Sequence, residues 1–214
     1  MLPEQIKKFI EIFSSLPGIG PRQATRLAFK LTEGGVGKID ETAKAVAQLK
    51  NLKLCKECFF IHQNKDDLCD ICADPKRQKN IIAVIEKETD LISLERSKKY
   101  KGRYLILGEL PKSGVLESGQ KLRLNNLKSF IKKNSSPANP GQDAQTHSAD
   151  SGQAEEIILA LNPTTYGDLN AKILTKELEG FAKKISRLGR GIPTGGEIEF
   201  ADPETLGQSL ERRI

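Results

Sequence analysis

The chain carries its four cysteines in one short block, CKECFFIHQNKDDLCDIC at residues 55–72. The two Cys-x-x-Cys pairs, Cys55 with Cys58 and Cys69 with Cys72, can direct four thiolates at one point, which is the tetrahedral soft-ligand shell that zinc prefers. Such a shell leaves no coordination position open, so the sequence predicts one structural Zn²⁺ that contributes folding free energy. Iron is the main competitor for these ligands. Two disulfides or a redox-active pair fit less well, because residues 1–16 do not resemble a secretory signal and two pairs are present.

A glycine-containing turn between two amphipathic segments is the second motif with a predicted chemical role. Apolar residues first recur at helical spacing, at Ile6, Phe9, Ile10 and Phe13. The pattern breaks at LPGIGP, residues 16–21, and Pro21 suits the first turn of a second helix. That helix places apolar residues on one face, at Ala24, Leu27, Ala28 and Leu31. The pattern predicts a helix-hairpin-helix.

The hairpin has the residue types that bind a phosphate backbone. Gly18 and Gly20 allow the main chain to approach a phosphate, Ile19 between them is expected to pack inward, and the helix amides point toward the ligand. Arg22 and Arg26, four residues apart, add charge on one side. The motif therefore predicts DNA binding that is independent of sequence and sensitive to salt. Two alternatives remain: the glycines only cap helices, or the hairpin binds another subunit in a protein-interaction scaffold.

The charge balance agrees with an anionic partner. The 214 residues hold 34 Lys and Arg against 28 Asp and Glu, a net charge of +6. Residues 1–54 contribute nine basic against five acidic residues, so much of the excess lies beside the hairpin. No apolar run is long enough to cross a membrane, so we expect a soluble cytoplasmic protein without a membrane partner.

Residues 81–214 have the pattern of an α/β domain. Short apolar runs predict strands, at residues 81–85, 103–107, 156–161 and 184–188. Between and after them the sequence predicts helices, from Thr89 to about Ser97, from Asp168 to a C-terminal Gly180, and after Asp202. This alternation predicts a mostly parallel sheet.

Two acids and one polar segment stand out in this domain. Glu86 follows the first strand and Asp168 follows the third, and the carboxyl ends of parallel strands form the crevice where ligands bind. Both acids could instead cap or pair locally. Residues 133–152 are rich in Ser, Pro, Asn and Gly and predict a flexible surface insertion. Neither His62 nor His147 is expected to bind the metal, because four cysteines already satisfy it.

The order of these parts resembles the RecR family of bacterial recombination mediators over nearly the whole chain. The resemblance rests on LPGIGPRQATRLAFKL, the cysteine block, AVIE at 83–86, ILALNPT at 158–164 and RGIPTGGEIEFADPETLGQSLERR at 190–213. It implies four parts: a helix-hairpin-helix domain (1–54), a four-cysteine zinc finger (55–72), a Toprim-like α/β domain (80–180) and a C-terminal strand and helix segment (181–214).

The resemblance also implies a function. A member of this family would be a non-enzymatic DNA clamp, a ring of two or four copies. It would work in the nucleoid with RecO-like and RecF-like partners to load RecA onto gapped or single-stranded DNA. The family's paired basic residues fall on Arg22 and Arg26, and its Toprim glutamate falls on Glu86, which with Asp168 would contact partners.

The chain departs from the family pattern in its Toprim-like part. Tyr166-Gly167-Asp168 replaces the usual acid-Gly-acid, GELPKSG follows the second strand in place of a double glycine, and the 133–152 insertion is unusual. Toprim folds also serve nucleases and topoisomerases, in which three carboxylates position Mg²⁺ for phosphoryl transfer. Glu86 and Asp168 without a third acid make a poor octahedral site, so a magnesium enzyme is the less favoured alternative and no catalytic residue is predicted.

Overall fold

The computed structural model describes residues 2–134 and 152–211 and divides the chain into two compact units. The first unit covers residues 1–52 and the second covers residues 53–214. The four-part division predicted from the sequence is finer than this, and its internal boundaries stay a prediction. Most of the predicted insertion, and His147 within it, lie outside the described residues.

The first unit is helical. Helix α1 (Glu4–Ser14) and helix α2 (Pro21–Glu33) flank the hairpin, and helix α3 (Gly35–Gln48) follows directly and runs into a 3₁₀ turn (Leu49–Asn51). The rings of Phe9 and Phe13 stack with centroids 4.0 Å apart, while α2 buries Ala24 and Ala28. The predicted helix-hairpin-helix is confirmed. Helix α3 was not predicted, because its glycines lower helix propensity and its residues are too exposed to leave an apolar pattern.

The second unit contains a four-stranded parallel sheet. Its strands are β3 (Gln78–Ile85), β4 (Gly102–Ile106), β5 (Ala154–Ala160) and β6 (Ala182–Arg187), in the spatial order β4-β3-β5-β6. A two-stranded antiparallel ribbon of β1 (Lys53–Leu54) and β2 (Ile61–His62) precedes them. The strands predicted from apolar runs are confirmed, each within two residues at its ends apart from the longer start of β3. Parallel pairing follows because each strand returns through a helix.

Helices cover both faces of this sheet. Alternate residues of each strand point to opposite faces, so Ile82 and Val84 of β3 face one layer while Ala83 and Ile85 face the other. The first layer contains helix α6 (Ser118–Asn134) and helix α7 (Thr165–Leu178), which contribute Leu124, Leu127, Ile131, Leu174 and Leu178. The second contains helix α5 (Glu88–Arg96), with Leu91, and the cysteine block, which includes the single turn α4 (Asp70–Ala73).

Three sequence-based expectations need correction. Helix α7 begins at Thr165 instead of Asp168, because the Thr164 hydroxyl accepts a hydrogen bond from the amide of Gly167 and caps the helix. Helix α6 was not predicted, and the 133–152 insertion was started too early, since Lys133 and Asn134 form the end of that helix. The final helix, α8 (Pro203–Glu211), does begin after Asp202 as predicted.

Gly167 is required by the close approach of helix α7 to the preceding loop. A Cβ atom on this residue would lie 1.9 Å from the carbonyl oxygen of Asn162, a backbone atom that has no side-chain freedom to move away. We expect Gly167→Ala to lower the free energy of unfolding by about 3 kcal/mol or more, the upper end of overpacking costs.

Urea denaturation of the purified protein measures this effect. Gly119→Ala is the matched control, because a Cβ there meets nothing within 4 Å and alanine favours the helix. Equal free energies of unfolding for the two variants would contradict this prediction, because they would show that the loop before α7 accommodates the added methyl group without destabilising the protein.

Candidate metal centre and nucleic-acid interface

The four cysteine side chains converge on one point in the second unit. Cys55, Cys58, Cys69 and Cys72 are at most 3% exposed, and their sulfur atoms all lie within 4.8 Å of one another. A tetrahedral zinc–thiolate shell with bonds of about 2.3 Å requires sulfur–sulfur separations of about 3.8 Å. Cys58 Sγ and Cys69 Sγ are 3.5 Å apart, so the residues present fit a tetrahedral metal. The group can bind a metal ion, as the sequence predicted.

The chain forms the cage by turning tightly after each Cys-x-x-Cys pair. Phe59 donates its amide hydrogen to the carbonyl of Cys55 at 3.0 Å, and the amide of Phe60 points at the sulfur of Cys58 at 3.4 Å. Phe59 reaches this turn with φ of 64°, in the left-handed region that costs a non-glycine residue energy. The turn is therefore held by its surroundings, which include the sulfur cluster itself.

The thiols affect each other's ionisation strongly. The pKa of Cys55 lies far below its usual value because Cys58, then Cys69 and Cys72, donate hydrogen bonds to its thiolate. The pKa of Cys72 is raised, first by its hydrogen bond with Cys55 and next by that with Cys58. The pKa of Cys69 is also lowered, to about 7, whereas that of Cys58 is raised. Two of the thiols therefore resist ionisation next to the other two, and a divalent cation would remove this conflict by accepting all four thiolates as ligands.

The cysteine block is joined to the edge of the parallel sheet. The amide of Ile106 in β4 donates to the carbonyl of Cys58 at 2.9 Å. The buried guanidinium of Arg103 donates to the carbonyl of Cys72 at 2.8 Å, forms an ion pair with Glu57 and lies over the ring of Phe130. Arg103 was missed by sequence reasoning, because nothing in its strand distinguishes it from an exposed arginine.

The hairpin of the first unit presents an open backbone. Gly18 has φ of +78°, a conformation that favours glycine, and Ile19 is half-buried with its amide bonded to the carbonyl of Leu16 at 3.1 Å. Gly20 has an ordinary extended conformation and is the N-cap of α2, yet a Cβ there would meet nothing within 4 Å. Gly20 suits the N-cap position by itself, and its open backbone also leaves room for an anion at this helix N-terminus.

Two arginines flank this N-terminus. Arg22 and Arg26 are exposed on α2, and at four residues apart they lie on one side of it. Within the described part of the chain neither forms an ion pair, whereas Lys30 on the next turn pairs with Glu33 at 3.3 Å. The five residues predicted to bind DNA, from Gly18 to Arg26, therefore lie together on one local surface.

The two predicted Toprim acids have partners within the protein. Glu86 is 7% exposed, and its Oε1 accepts a hydrogen bond from the amide of Asn162 at 2.8 Å. Asp168 lies in the first turn of α7, where its Oδ1 accepts from Arg187 at 2.7 Å and from Arg190 at 2.6 Å. Arg190 also forms an ion pair with Glu204 of α8. Asp168 thus connects α7 to the segment after β6.

These arginines lower the pKa of Asp168, Arg190 more than Arg187. No pattern in the sequence pairs position 168 with 187 or 190, so this network was also missed. Among residues 2–134 and 152–211, the four cysteines are the only group of three or more His, Cys, Asp or Glu side chains placed to hold a metal.

Comparisons with known proteins agree with this arrangement. A family model described as Toprim domain matches residues 80–189, and one described as RecR, C-terminal matches residues 191–214. Proteins named recombination protein RecR are similar over the full chain: one from Chloroflexus aggregans is 35% identical and one from Roseiflexus castenholzii is 36% identical, each over 100% of this chain and 95% of its own length. The chain belongs to the RecR family.

Membership in the RecR family places the chain in recombinational repair. The Toprim model covers the parallel sheet with Glu86 and Asp168, and the RecR C-terminal model begins one residue after Arg190. In the described residues no helix is long and apolar enough to cross a membrane. Arg190, which contacts Asp168, also pairs with Glu204 inside the matched C-terminal residues.

Loss of one cysteine should unfold much of the second unit. Cys55→Ser removes a metal ligand, and metal binding to such a site contributes about 10–16 kcal/mol, comparable to the whole stability of a domain. We expect Cys55→Ser to lose bound metal and its cooperative thermal transition, measured by elemental analysis and circular dichroism. His62→Gln, a change beside the cage that spares the ligands, should keep its metal. A well-folded metal-free Cys55→Ser protein would contradict a structural role.

Neutralising Asp168 should release the C-terminal segment. Because its folded pKa is lowered, Asp168 contributes stability above its ordinary pKa of 3.8, and this contribution is lost as the pH falls below that value. We expect Asp168→Asn at neutral pH to increase amide hydrogen exchange in α8 several-fold, with the core of β3 unaffected.

Asp66→Asn is the control for this change, since Asp66 is exposed and distant in sequence from the network. Wild-type exchange in α8 should rise toward the mutant level when measured below pH 3.8, after correction for intrinsic rates. Unchanged exchange in Asp168→Asn would show that other contacts hold the segment.

Proposed function

We propose that this protein is a non-enzymatic DNA-binding mediator of recombinational repair whose first unit binds the phosphate backbone. The observation that carries the proposal is the local surface of Gly18, Ile19, Gly20, Arg22 and Arg26. It combines an open helix N-terminus with two arginines that have no acidic partner in the described residues. None of these groups can read base edges, so binding would be independent of sequence and weakened by salt.

The four-cysteine cage would hold one structural Zn²⁺. Zn²⁺ readily accepts four thiolates in tetrahedral geometry, because its d-electrons impose no other geometry. The cage is buried and closed, so it leaves no coordination position for a substrate. Iron could occupy the same ligands. The metal would stabilise the turns at Phe59 and after Cys69, and through Cys58 it would stabilise the edge of the sheet.

The Toprim acids favour a binding role over catalysis. Asp168 is neutralised by Arg187 and Arg190, and Glu86 is held by the amide of Asn162, so both carboxylates already have the partners that a magnesium site would displace. Tyr166 occupies the position of the third carboxylate. A magnesium-dependent nuclease or topoisomerase activity is therefore the weaker candidate, in which the same acids would need to rearrange.

Family membership supports the remaining parts of the proposal. As a RecR-type clamp the protein would form a dimer or tetramer ring in the cytoplasm, at the nucleoid. It would engage RecO-like and RecF-like proteins and help load RecA onto gapped or single-stranded DNA. Glu86 and Asp168 would lie at the partner-binding end of the sheet, and the Tyr166 substitution would alter that surface while leaving the hairpin unchanged.

DNA binding should depend on the two hairpin arginines. We expect Arg22→Ala combined with Arg26→Ala to weaken binding equally for different sequences, and to reduce the slope of log K against log salt by about 1.4 to 1.8. Fluorescence anisotropy with single-stranded and gapped duplex probes across a salt series measures both quantities.

The control removes the same charge elsewhere in the same unit. Lys38→Ala combined with Lys44→Ala changes two exposed lysines of α3 and should leave the slope unchanged. Mass photometry of each variant reports assembly. If the arginine variant loses its oligomeric state and still binds DNA with the wild-type slope of log K against log salt, the hairpin is an assembly element. In that case the protein-interaction scaffold is the better description.

A further inference from the structure

Helix α6 has an unbalanced charge pattern. Its 17 residues include five Lys or Arg and no Asp or Glu. Helices α1, α2 and α3 each contain a Lys–Glu pair three residues apart, with nitrogen–oxygen distances of 3.1, 3.3 and 2.9 Å. Pairs of this kind are the common pattern on a solvated helix face. Helix α6 has no acid with which to form one, so ordinary surface solvation does not account for its composition.

Two of the five basic residues have internal roles. Arg123 donates to the carbonyl of Ile106 at 2.9 Å and lies over the ring of Phe59. Lys128 pairs with Glu177 of α7 at 2.9 Å, and its side chain is 19% exposed. The other three basic side chains belong to exposed residues, which are Lys121, Lys132 and Lys133. The ammonium of Lys132 also lies 5.4 Å from the centroid of the Phe181 ring.

The positions of the exposed lysines fit one surface. At about 100° per residue, Lys121, Asn125, Ser129 and Lys132 fall within one solvent-facing sector, and Lys133 extends it at the helix end. Lys121 and Lys132 are about 16 Å apart along the axis. Lys132 and Lys133 suit the negative end of the helix dipole, but Lys121 lies in the first turn, at the positive end, where a cation is unfavourable. Helix stability therefore does not explain Lys121.

The acid beside this surface is compensated by lysines. Glu177, the acid that contacts α6, has its pKa lowered first by its hydrogen bond to Lys128 and also by the charges of Lys121 and Lys176. Glu177 is therefore an ionised carboxylate whose charge these lysines compensate. On the opposite face of the sheet, helix α5 carries three acids against one arginine, which are Glu88, Asp90, Glu95 and Arg96. Exposed lysines follow α5 at Lys98, Lys99 and Lys101, so the contrast is between the two helices and not between the two sides of the unit.

We propose that the α6 strip, formed by Lys121, Asn125, Ser129, Lys132 and Lys133, is a second contact surface for the phosphodiester backbone of DNA. Leu122, 64% exposed, is the one large apolar residue of α6 beside the strip, whereas the buried centre of a protein–protein interface is mostly apolar. Lysine is a mobile point charge that suits successive phosphates, and the strip has no arginine fork for bidentate recognition of a carboxylate. The surface belongs to the second unit and acts independently of the hairpin arginines.

The salt dependence of DNA binding by the full chain tests this surface. Lys121→Gln, Lys132→Gln and Lys133→Gln together should reduce the slope of log K against log salt by up to about 2.7 on duplex DNA and about 2.1 on single strands. The control is Lys98→Gln, Lys99→Gln and Lys101→Gln, which removes the same charge from exposed residues after α5. The control should retain the wild-type slope, because net charge alone does not create a phosphate contact.

Lysine acetylation with and without DNA gives a second measurement on the unmodified protein. Protection of Lys121 and Lys132, without protection of Lys99 and Lys101, supports the proposal. Equal slopes in the strip variant and the control, or no protection on the strip, overturn it. If the strip variant binds DNA normally but loses retention on immobilised polyglutamate, the strip is a surface for an acidic protein and the proposal is wrong.

These outcomes are separable from those of the hairpin test. If only the strip variant has a reduced salt slope, the α6 strip is the DNA surface and the role proposed for Arg22 and Arg26 is wrong. If only the hairpin variant has a reduced slope, the proposal for the α6 strip is wrong. Additive losses in the combined variant show two separate contact regions on one bound DNA.

Discussion

The hydrogen bond from the amide of Ile106 to the carbonyl of Cys58 joins the four-cysteine cage to the edge strand β4 of the parallel sheet. Strand β4 is terminal in the sheet, so one side of its backbone has no neighbouring strand. An uncovered edge would leave polar backbone groups available to other chains. The cysteine block lies against this edge, and together with the helices on both faces it buries all five residues of β4.

The opposite edge of the sheet is protected in a different way. Strand β6 is also terminal, but none of its residues is fully buried, and it carries lysines paired with acids of β5, including Lys184 with Glu156 at 3.0 Å. Charged side chains on an edge discourage pairing with other strands. The two edges are thus protected in different ways, one by the four-cysteine block and the other by charge. The block contacts β4 through Cys58 and through Arg103.

Glycine and arginine residues have different roles in the two units. A Cβ atom on Gly18 or Gly20 would meet nothing within 4 Å, whereas a Cβ atom on Gly167 would collide with the carbonyl oxygen of Asn162. Arg22 and Arg26 are exposed, whereas Arg103 and Arg190 each satisfy several internal acceptors. Residue type alone therefore does not mark a binding site. The combination of exposure, missing acidic partners and open backbone separates the candidate DNA surface from the structural networks.

The sequence by itself determined the features that depend on local spacing. Two Cys-x-x-Cys pairs specify a metal cage, apolar runs specify buried strands, and a Gly-Ile-Gly turn before Pro21 specifies a hairpin, because each depends on residues a few positions apart. Helix α6 could also have been found, since Leu124, Leu127 and Ile131 recur at helical spacing, but the polar segment after it obscured the pattern.

Only the tertiary structure decided the contacts between distant residues. Three contacts show this: Arg103 with Glu57, Arg190 with Asp168, and Ile106 of β4 with Cys58. They join residues 22 to 48 positions apart, and no periodicity in the sequence records such separations. The same holds for Arg22, which has no acidic partner among the described residues, because packing sets whether a charged side chain meets an acid. Chemistry that needs neighbours in the chain was predictable, while chemistry that needs neighbours in space required the fold.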